Sequence, residues 1–314
     1  MNILVTGGAG FIGSHICDAL LDKGHNIICI DDFNNYYDPK IKENNIKTFL
    51  KNNKFKLYKE DIRNFNSLKK IFQENKIDKI IHLAARAGVR ASLKDPLLYE
   101  EVNVKGTLNL LELAKEFKIN QFIFGSSSSI YGLNKKIPFS ENDNTQPISP
   151  YGVTKKIGEQ LCYVYHHLYN INIICLRFFS VYGPRGRPDM AMYKFTKSIN
   201  EGKEIEMFGD GTTKRDYTYI TDIVSGILAS LDKNLSFEII NLGNNNTVEL
   251  KYFISLIEKE LKKKSKIKKM PEQQGDVPLT YANISKAKKI LCWEPKVKIE
   301  EGVKLFVRWF DEQN

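Results

Sequence analysis

The chain lacks the marks of a secreted, metal-bound or membrane protein. Its five cysteines (Cys17, Cys29, Cys162, Cys175 and Cys292) are scattered and odd in number. None stands in Cys-x-x-Cys spacing, which argues for reduced, buried thiols rather than a disulfide frame or a metal site, and no metal is expected. No apolar run reaches the ~18 residues that span a bilayer. Met1-Asn-Ile-Leu-Val-Thr-Gly7 has no signal-peptide pattern, so a cytosolic protein away from membranes is expected. No internal repeat is visible. The net charge of +10 is not gathered into a stripe. Its one dense run, Lys262-Lys-Lys-Ser-Lys-Ile-Lys-Lys269, reads as a solvated helix end and loop, so no nucleic acid is expected as a partner. What is present is a chain of 314 residues, 42% hydrophobic and 27% charged, long enough for one large domain with a smaller companion.

Asn2 to Thr6 reads as a buried strand, and Gly7-Gly-Ala-Gly10-Phe11-Ile12-Gly13 follows it at once, opening a helical pattern to about Asp22. Small residues there let the backbone approach a pyrophosphate resting on the helix N-terminus. The second strand, Asn26 to Ile30, ends in Asp31-Asp32, about where a carboxylate accepts hydrogen bonds from an adenosine ribose. From Asp32 to Pro39 there is no basic residue to hold a 2′-phosphate, so NAD is expected rather than NADP. Further strands (Phe55 to Tyr58, Lys79 to His82, Gln121 to Phe124, Ile171 to Arg177) alternate with helices from Asn64, from Pro96 to Phe117, and from Pro150. Such alternation predicts an α/β fold with a doubly wound parallel sheet.

The stretch from Gly125 to Lys155 carries the chemistry. A buried strand delivers Ser126, Ser127, Ser128 and Ser129 at its carboxyl end. Pro150 then starts a helix that puts Tyr151 and Lys155 four apart on one face. A phenol titrates near ~10, and keeping it ionised near pH 7 takes roughly 4 kcal/mol, which an ammonium and a second cation can supply together. Tyr151 is the candidate base and Lys155 its tuner.

Together with Arg215-Asp-Tyr-Thr-Tyr-Ile-Thr-Asp222 and Gly275-Asp276-Val277 to Lys286-Ala287, these motifs resemble the extended short-chain dehydrogenase/reductase family, in its nucleotide-sugar epimerase branch. The resemblance implies catalysis by Ser127, Tyr151 and Lys155. It also implies cofactor contacts from Asp61-Ile62 beside the adenine, from Leu83-Ala84-Ala85 along the dinucleotide and from Phe178, with Asn103 near the active site. Arg215 would hold a diphosphate and Asp276 a ribose, although Gln273 and Gln274 stand where many relatives have a second arginine. Residues 1–178 with about 216–247 would form the NAD domain, and 179–215 with 248–314 a smaller mixed α/β substrate domain. A homodimer pairing the helices from Pro96 and Pro150 is expected on the same ground.

Relatives that remove water from the sugar carry Asp-Glu after the catalytic hydroxyl, where this chain has Ser128-Ser129. The resemblance therefore implies 4-epimerisation of a UDP-sugar through a 4-keto stage. Ala87-Gly-Val-Arg90-Ala-Ser92 and Phe178-Phe-Ser180-Val-Tyr-Gly-Pro-Arg185-Gly-Arg187-Pro-Asp-Met-Ala191 look like UDP-glucuronate 4-epimerases, with Arg90 toward the substrate and Ser128, Ser129, Ser180 and Arg187 around the C6 carboxylate. A 4-keto uronate is a β-keto acid, so those donors would also hold its carboxylate away from the orientation that loses carbon dioxide. Rival readings are UDP-glucose or UDP-N-acetylglucosamine 4-epimerisation, decarboxylation of UDP-glucuronate, and a fold that only senses NAD.

Overall fold

The computed structural model describes residues 1–273 and 275–313. Six strands, β1 (Asn2–Thr6), β2 (Asn26–Asp31), β3 (Phe55–Lys59), β4 (Lys79–His82), β5 (Gln121–Ser127) and β6 (Asn172–Phe178), join Phe237–Leu242 in one sheet. Its order is Phe237–Leu242, β6, β5, β4, β1, β2, β3, with every pair parallel. This is the Rossmann-like α/β fold that the alternating pattern predicts. The strands are apolar nearly throughout because helices cover both faces. Ile3 and Val5 point into one core and Leu4 into the other, as period-two alternation requires.

The chain leaves β1 toward β2 and β3, then returns to lay β4, β5 and β6 on the other side. Strand order reverses between β1 and β4, where open sheets of this type leave a ligand crevice at the strands' carboxyl ends. The register lines those ends up: Thr6 lies opposite both Ile30 and His82, and Ser127 opposite Phe178. Every segment expected to touch a cofactor therefore starts from one edge.

The helix Pro150–Tyr169 begins with Ser149 accepting from the Gly152 N–H at 3.1 Å and with Pro150 where no amide partner is needed. It ends on Asn170 in left-handed conformation. The helix expected from Pro96 to Phe117 is instead two helices, Pro96–Glu100 and Gly106–Glu116, joined by a wide π turn over Glu101–Lys105. The Thr107 hydroxyl, donating back to the Asn103 carbonyl at 2.6 Å, occupies that turn.

Beyond β6, three two-stranded sheets and the helices Ala191–Asn200, Leu250–Leu261 and Ile299–Gln313 make a smaller mixed layer. The lysine run is not all loop: Lys262 caps the helix Leu250–Leu261, and Lys266–Met270 forms a strand parallel to Glu204–Phe208. A parallel partner suffices to order this polar stretch, which the composition alone hides. Four of the cysteines are buried as expected, but Cys292 is exposed.

Gly158 lets the helix Pro150–Tyr169 lie close on the sheet, since a methyl there would overlap the buried Phe124 ring of β5. Gly158→Ala should cost about 1–3 kcal/mol by overpacking. Urea denaturation measures this, and an unchanged midpoint would show that the layers can part freely.

Candidate active site

One cavity opens over the carboxyl edge of the sheet, lined at one end by Gly7, Gly10, Phe11, Ile12, Gly13, Asp31, Asp32, Asp61 and Ile62. Gly7 has φ +69°, and a methyl on Gly13 would overlap the Gly7 carbonyl, so this turn needs glycine at both places. Asp31 is buried and already engaged. It accepts from the Ala9 and Phe33 amides at 3.1 and 3.0 Å and pairs with Lys42 Nζ at 2.9 Å. Lys42, also 3.6 Å from Asp32, lines the same cavity. Sequence reasoning stopped at Pro39 and missed it, because the helix Pro39–Ile46 folds the lysine back onto β2. The N-cap pattern Asp38-Pro39 was the available signal. Asp61 is held below the usual carboxylate range: burial opposes this, but the Arg63 fork, with contacts from 2.7 to 3.1 Å, outweighs it.

Farther along, Leu83, Ala84, Ala85, Ser127, Tyr151, Lys155, Phe178, Ser180 and Arg187 line the cavity. Burial pushes the Tyr151 phenol up, while its hydrogen bond to Ser127 and the charge of Arg187 draw it down. Burial prevails and the phenol stands above its ordinary range, with Arg187 the cation that opposes the rise. Lys155 is turned elsewhere, donating to the Gly125 carbonyl at 2.7 Å, and burial brings it down to about 8. Expected as the tuner of Tyr151, it stands one helical turn away, tied to the end of β5. Ser127 Oγ donates to Ser129 Oγ and accepts from the Ser129 amide, both at 3.1 Å. Ser128 and Ser129 begin a short 3₁₀ turn and do not line the cavity, unlike Ser180.

Arg90, Arg215 and Asp276 come together away from this cavity. Arg90 Nη2 meets Asp276 at 2.8 Å, and the Arg215 guanidinium, lowered first by burial, senses both. Gln273 buries an Oε1 that has no hydrogen-bond partner among the described residues, and Gln274 lies outside them. Three aromatic or acidic residues that sequence reasoning did not single out pack against Tyr151 and Arg187, and of them Tyr36 lines the cavity. The Tyr99 ring meets Tyr151 edge-on at 6.2 Å, Tyr36 lies under the Arg187 guanidinium at 5.5 Å, and Asp189 forks onto Arg187.

Two buried networks hold these parts. On the helix Pro150–Tyr169, Glu159 accepts from Ser126 Oγ at 2.5 Å and from Arg177 of β6 through Nε (2.9 Å) and Nη2 (2.7 Å). Arg177 Nη1 goes on to Tyr131 Oη at 2.9 Å, which donates to Asn241 at 2.7 Å. The second network can be read in only one direction. Thr107 gives its hydroxyl proton to Asn103, so it must accept from His82 Nε2 (2.9 Å). Thr6 must then donate to His82 Nδ1 (2.7 Å), and its oxygen accepts the Ala84 amide at 3.2 Å. Burial drives the His82 imidazole down to about 3, so it stays neutral in that tautomer. Asn103 also clamps both the N–H (2.8 Å) and the C=O (2.9 Å) of Arg86 and donates to Thr154 at 3.0 Å. Expected near the active site, Asn103 braces the loop after β4 against the helix Pro150–Tyr169.

An open parallel sheet with a glycine turn, a buried acidic end to β2, and Ser127, Tyr151 and Lys155 over one crevice defines a dinucleotide-binding enzyme fold. Residues 4–306 match the family model described as GDP-mannose 4,6 dehydratase, and the chain belongs to that family, within the extended short-chain dehydrogenase/reductases. It is 48% identical to a UDP-glucuronate 4-epimerase of Thermodesulfobacterium geofontis, over 98% of this chain and 96% of that protein. The crystal structure of UDP-glucuronic acid 4-epimerase from Bacillus cereus, in complex with UDP-glucuronic acid and NAD, superposes with a TM-score of 0.95 at 41% identity, covering all of both chains. A UDP-glucose 4-epimerase of Thermotoga maritima, with UDP-glucose, matches at 0.92 and 34% identity, over 100% of this chain and 99% of that one.

Glu159→Ala strands Arg177 without its partner in the interior and should destabilise the protein by about 3–5 kcal/mol. The urea midpoint reads this. A loss below ~1 kcal/mol would mean that Arg177 reaches solvent or another acceptor.

Proposed function

We propose that the protein is an NAD-dependent 4-epimerase that converts UDP-glucuronate to UDP-galacturonate. One observation carries the reading: Ser127, Tyr151 and Arg187 face one cavity, with Ser128-Ser129, not an acid pair, after the catalytic hydroxyl. The kinship with UDP-glucuronate 4-epimerases over nearly the whole chain supports it.

The residues present fit NAD. The glycine turn leaves room for a pyrophosphate on the helix Phe11–Asp22, Asp31 and Asp32 offer carboxylates to ribose hydroxyls, and Lys155 offers an ammonium farther along the cavity. When bound, the dinucleotide supplies the hydride acceptor and donor that carry C4 through the ketone stage. Tyr151 takes the C4 hydroxyl proton and later returns it, with Ser127 bonded to the same oxygen. The charge of Arg187 favours the phenolate that this exchange needs. Ser180 and Arg187, which line the cavity, hold the C6 carboxylate, and Ser128 and Ser129 shape the turn behind Ser127. Arg90, Arg215 and Asp276 take the diphosphate and ribose of the nucleotide. Residues 1–178 with 216–247 act as the cofactor domain, and 179–215 with 248–314 close over the sugar nucleotide.

The purified protein should epimerise UDP-glucuronate without added NAD, since the cofactor is regenerated in each cycle. Tyr151→Phe should lower turnover by about 10² while sugar-nucleotide binding stays nearly intact. NMR of products from UDP-glucuronate, UDP-glucose and UDP-N-acetylglucosamine decides among the substrates. A preference for either neutral sugar, or an active Tyr151→Phe, would sink the assignment.

The protein is also proposed to work as a homodimer. Val153, Ile157, Val164 and Leu168 on the helix Pro150–Tyr169, with Leu97 and Leu108 on the two helices packed beside it, are exposed apolar residues. A second copy covering this face would give an antiparallel helix packing. Val164→Glu should release monomers in sedimentation experiments, and a wild type that already sediments as a monomer would refute the pairing. Unpaired cysteines and the lack of any long apolar helix among the described residues support a cytosolic enzyme, which cell fractionation tests.

A further inference from the structure

Resting on the uronate reading, we propose that Asp189 is an internal stand-in for the substrate's carboxylate: a positioning residue that orients Arg187 and tempers its charge, and so sets how strongly the site favours a charged sugar over a neutral one.

A guanidinium has two edges that can fork onto a carboxylate, Nε with Nη2 and Nη1 with Nη2. Asp189 takes the first, with Nε–Oδ1 at 2.9 Å and Nη2–Oδ2 at 2.7 Å. Nη1 has no protein hydrogen-bond partner among the described residues. The pinned side therefore leaves the end edge as the one a ligand can meet. Tyr36 completes the cradle, its ring 5.5 Å from the guanidinium and its hydroxyl donating to Asp189 Oδ2 at 3.4 Å. Beneath them Gly88 has φ +108°, and a methyl there would sit 2.9 Å from Tyr36 Oη and 3.8 Å from Arg187 Nη2. Three separate segments thus converge to fix one arginine. Asp189 remains ionised: burial pushes its carboxyl up, and the Arg187 fork more than reverses that.

The arrangement has two consequences. In the empty site, the arginine's charge is already matched, so it is not left alone in a largely buried cavity. In the occupied site, the uronate must share the guanidinium with Asp189, and two carboxylates on one cation repel. The affinity for a charged sugar is held down, and a neutral sugar feels little of this. Substrate and product both carry the carboxylate, so excess ground-state binding of either would raise affinity without raising turnover.

Asp189→Asn keeps the shape and removes the charge. The dissociation constant for UDP-glucuronate should fall about tenfold, and that for UDP-glucose should change less than about twofold, by calorimetry on the full-length holoenzyme. The KM for UDP-glucuronate should fall together with kcat. In an Arg187→Gln background the same change should have no effect on the ratio of the two constants. An unchanged ratio, weaker binding of both ligands alike, or an effect that survives Arg187→Gln would each overturn the proposal. Wild type that binds both nucleotides but epimerises only the neutral one would sink the uronate reading, and the ratio of binding constants would still judge Asp189.

Discussion

The buried pair of Glu159 and Arg177 is the joint on which the site is built. Glu159 belongs to the helix that carries Tyr151 and Lys155, Arg177 to β6, and the Ser126 hydroxyl bonded to Glu159 belongs to the strand that ends in Ser127. Three elements that contribute chemistry are thereby fixed at one point below it. Two opposite charges in the interior stabilise little by themselves, because desolvation offsets their attraction. Their contribution is orientation: a fork fixes direction as well as distance, and Arg177 extends it through Tyr131 to Asn241 on the outermost strand.

Above that joint the sheet sets the rest. Parallel strands in register bring Thr6, Asp31, His82, Ser127 and Phe178 to one edge, so segments far apart in the chain open onto one crevice. The groups proposed to meet the cofactor come mainly from the β1–β4 side and those proposed to meet the sugar from the loop after β6. Arg187 and Tyr36 meet across the middle. The phenol at the centre is pulled both ways, up by burial and down by the arginine that the sugar would also contact. On the proposed reading, base strength and substrate charge would be coupled through one side chain.

What could be read from the chain was what is local in it. The glycine turn, the carboxylates closing the second strand and the four-residue spacing of Tyr151 and Lys155 each follow from one element and its neighbour. Pairings through space could not be read. Lys42 reaches Asp31 only because a short helix doubles back, and Arg90 meets Asp276 across 186 positions of sequence. The expected uninterrupted helix from Pro96 failed for a related reason: its π turn depends on hydroxyl and amide contacts of Thr107 and Asn103 that periodicity does not encode. The run of serines was visible, but not that Ser127 alone of its last three faces the cavity.

The chain of hydrogen bonds from Ala84 through Thr6, His82 and Thr107 to Asn103 has a polarity, and polarity constrains heredity. Each member is donor to one neighbour and acceptor from the other, so a replacement that reverses one role leaves two like groups facing each other in the interior. At Thr6 and Thr107 a serine would keep both roles, whereas a side chain without a hydroxyl would leave His82 with an unmatched ring nitrogen. The constraint thus falls on the order of donors and acceptors along the row, not on the identity of each residue in it.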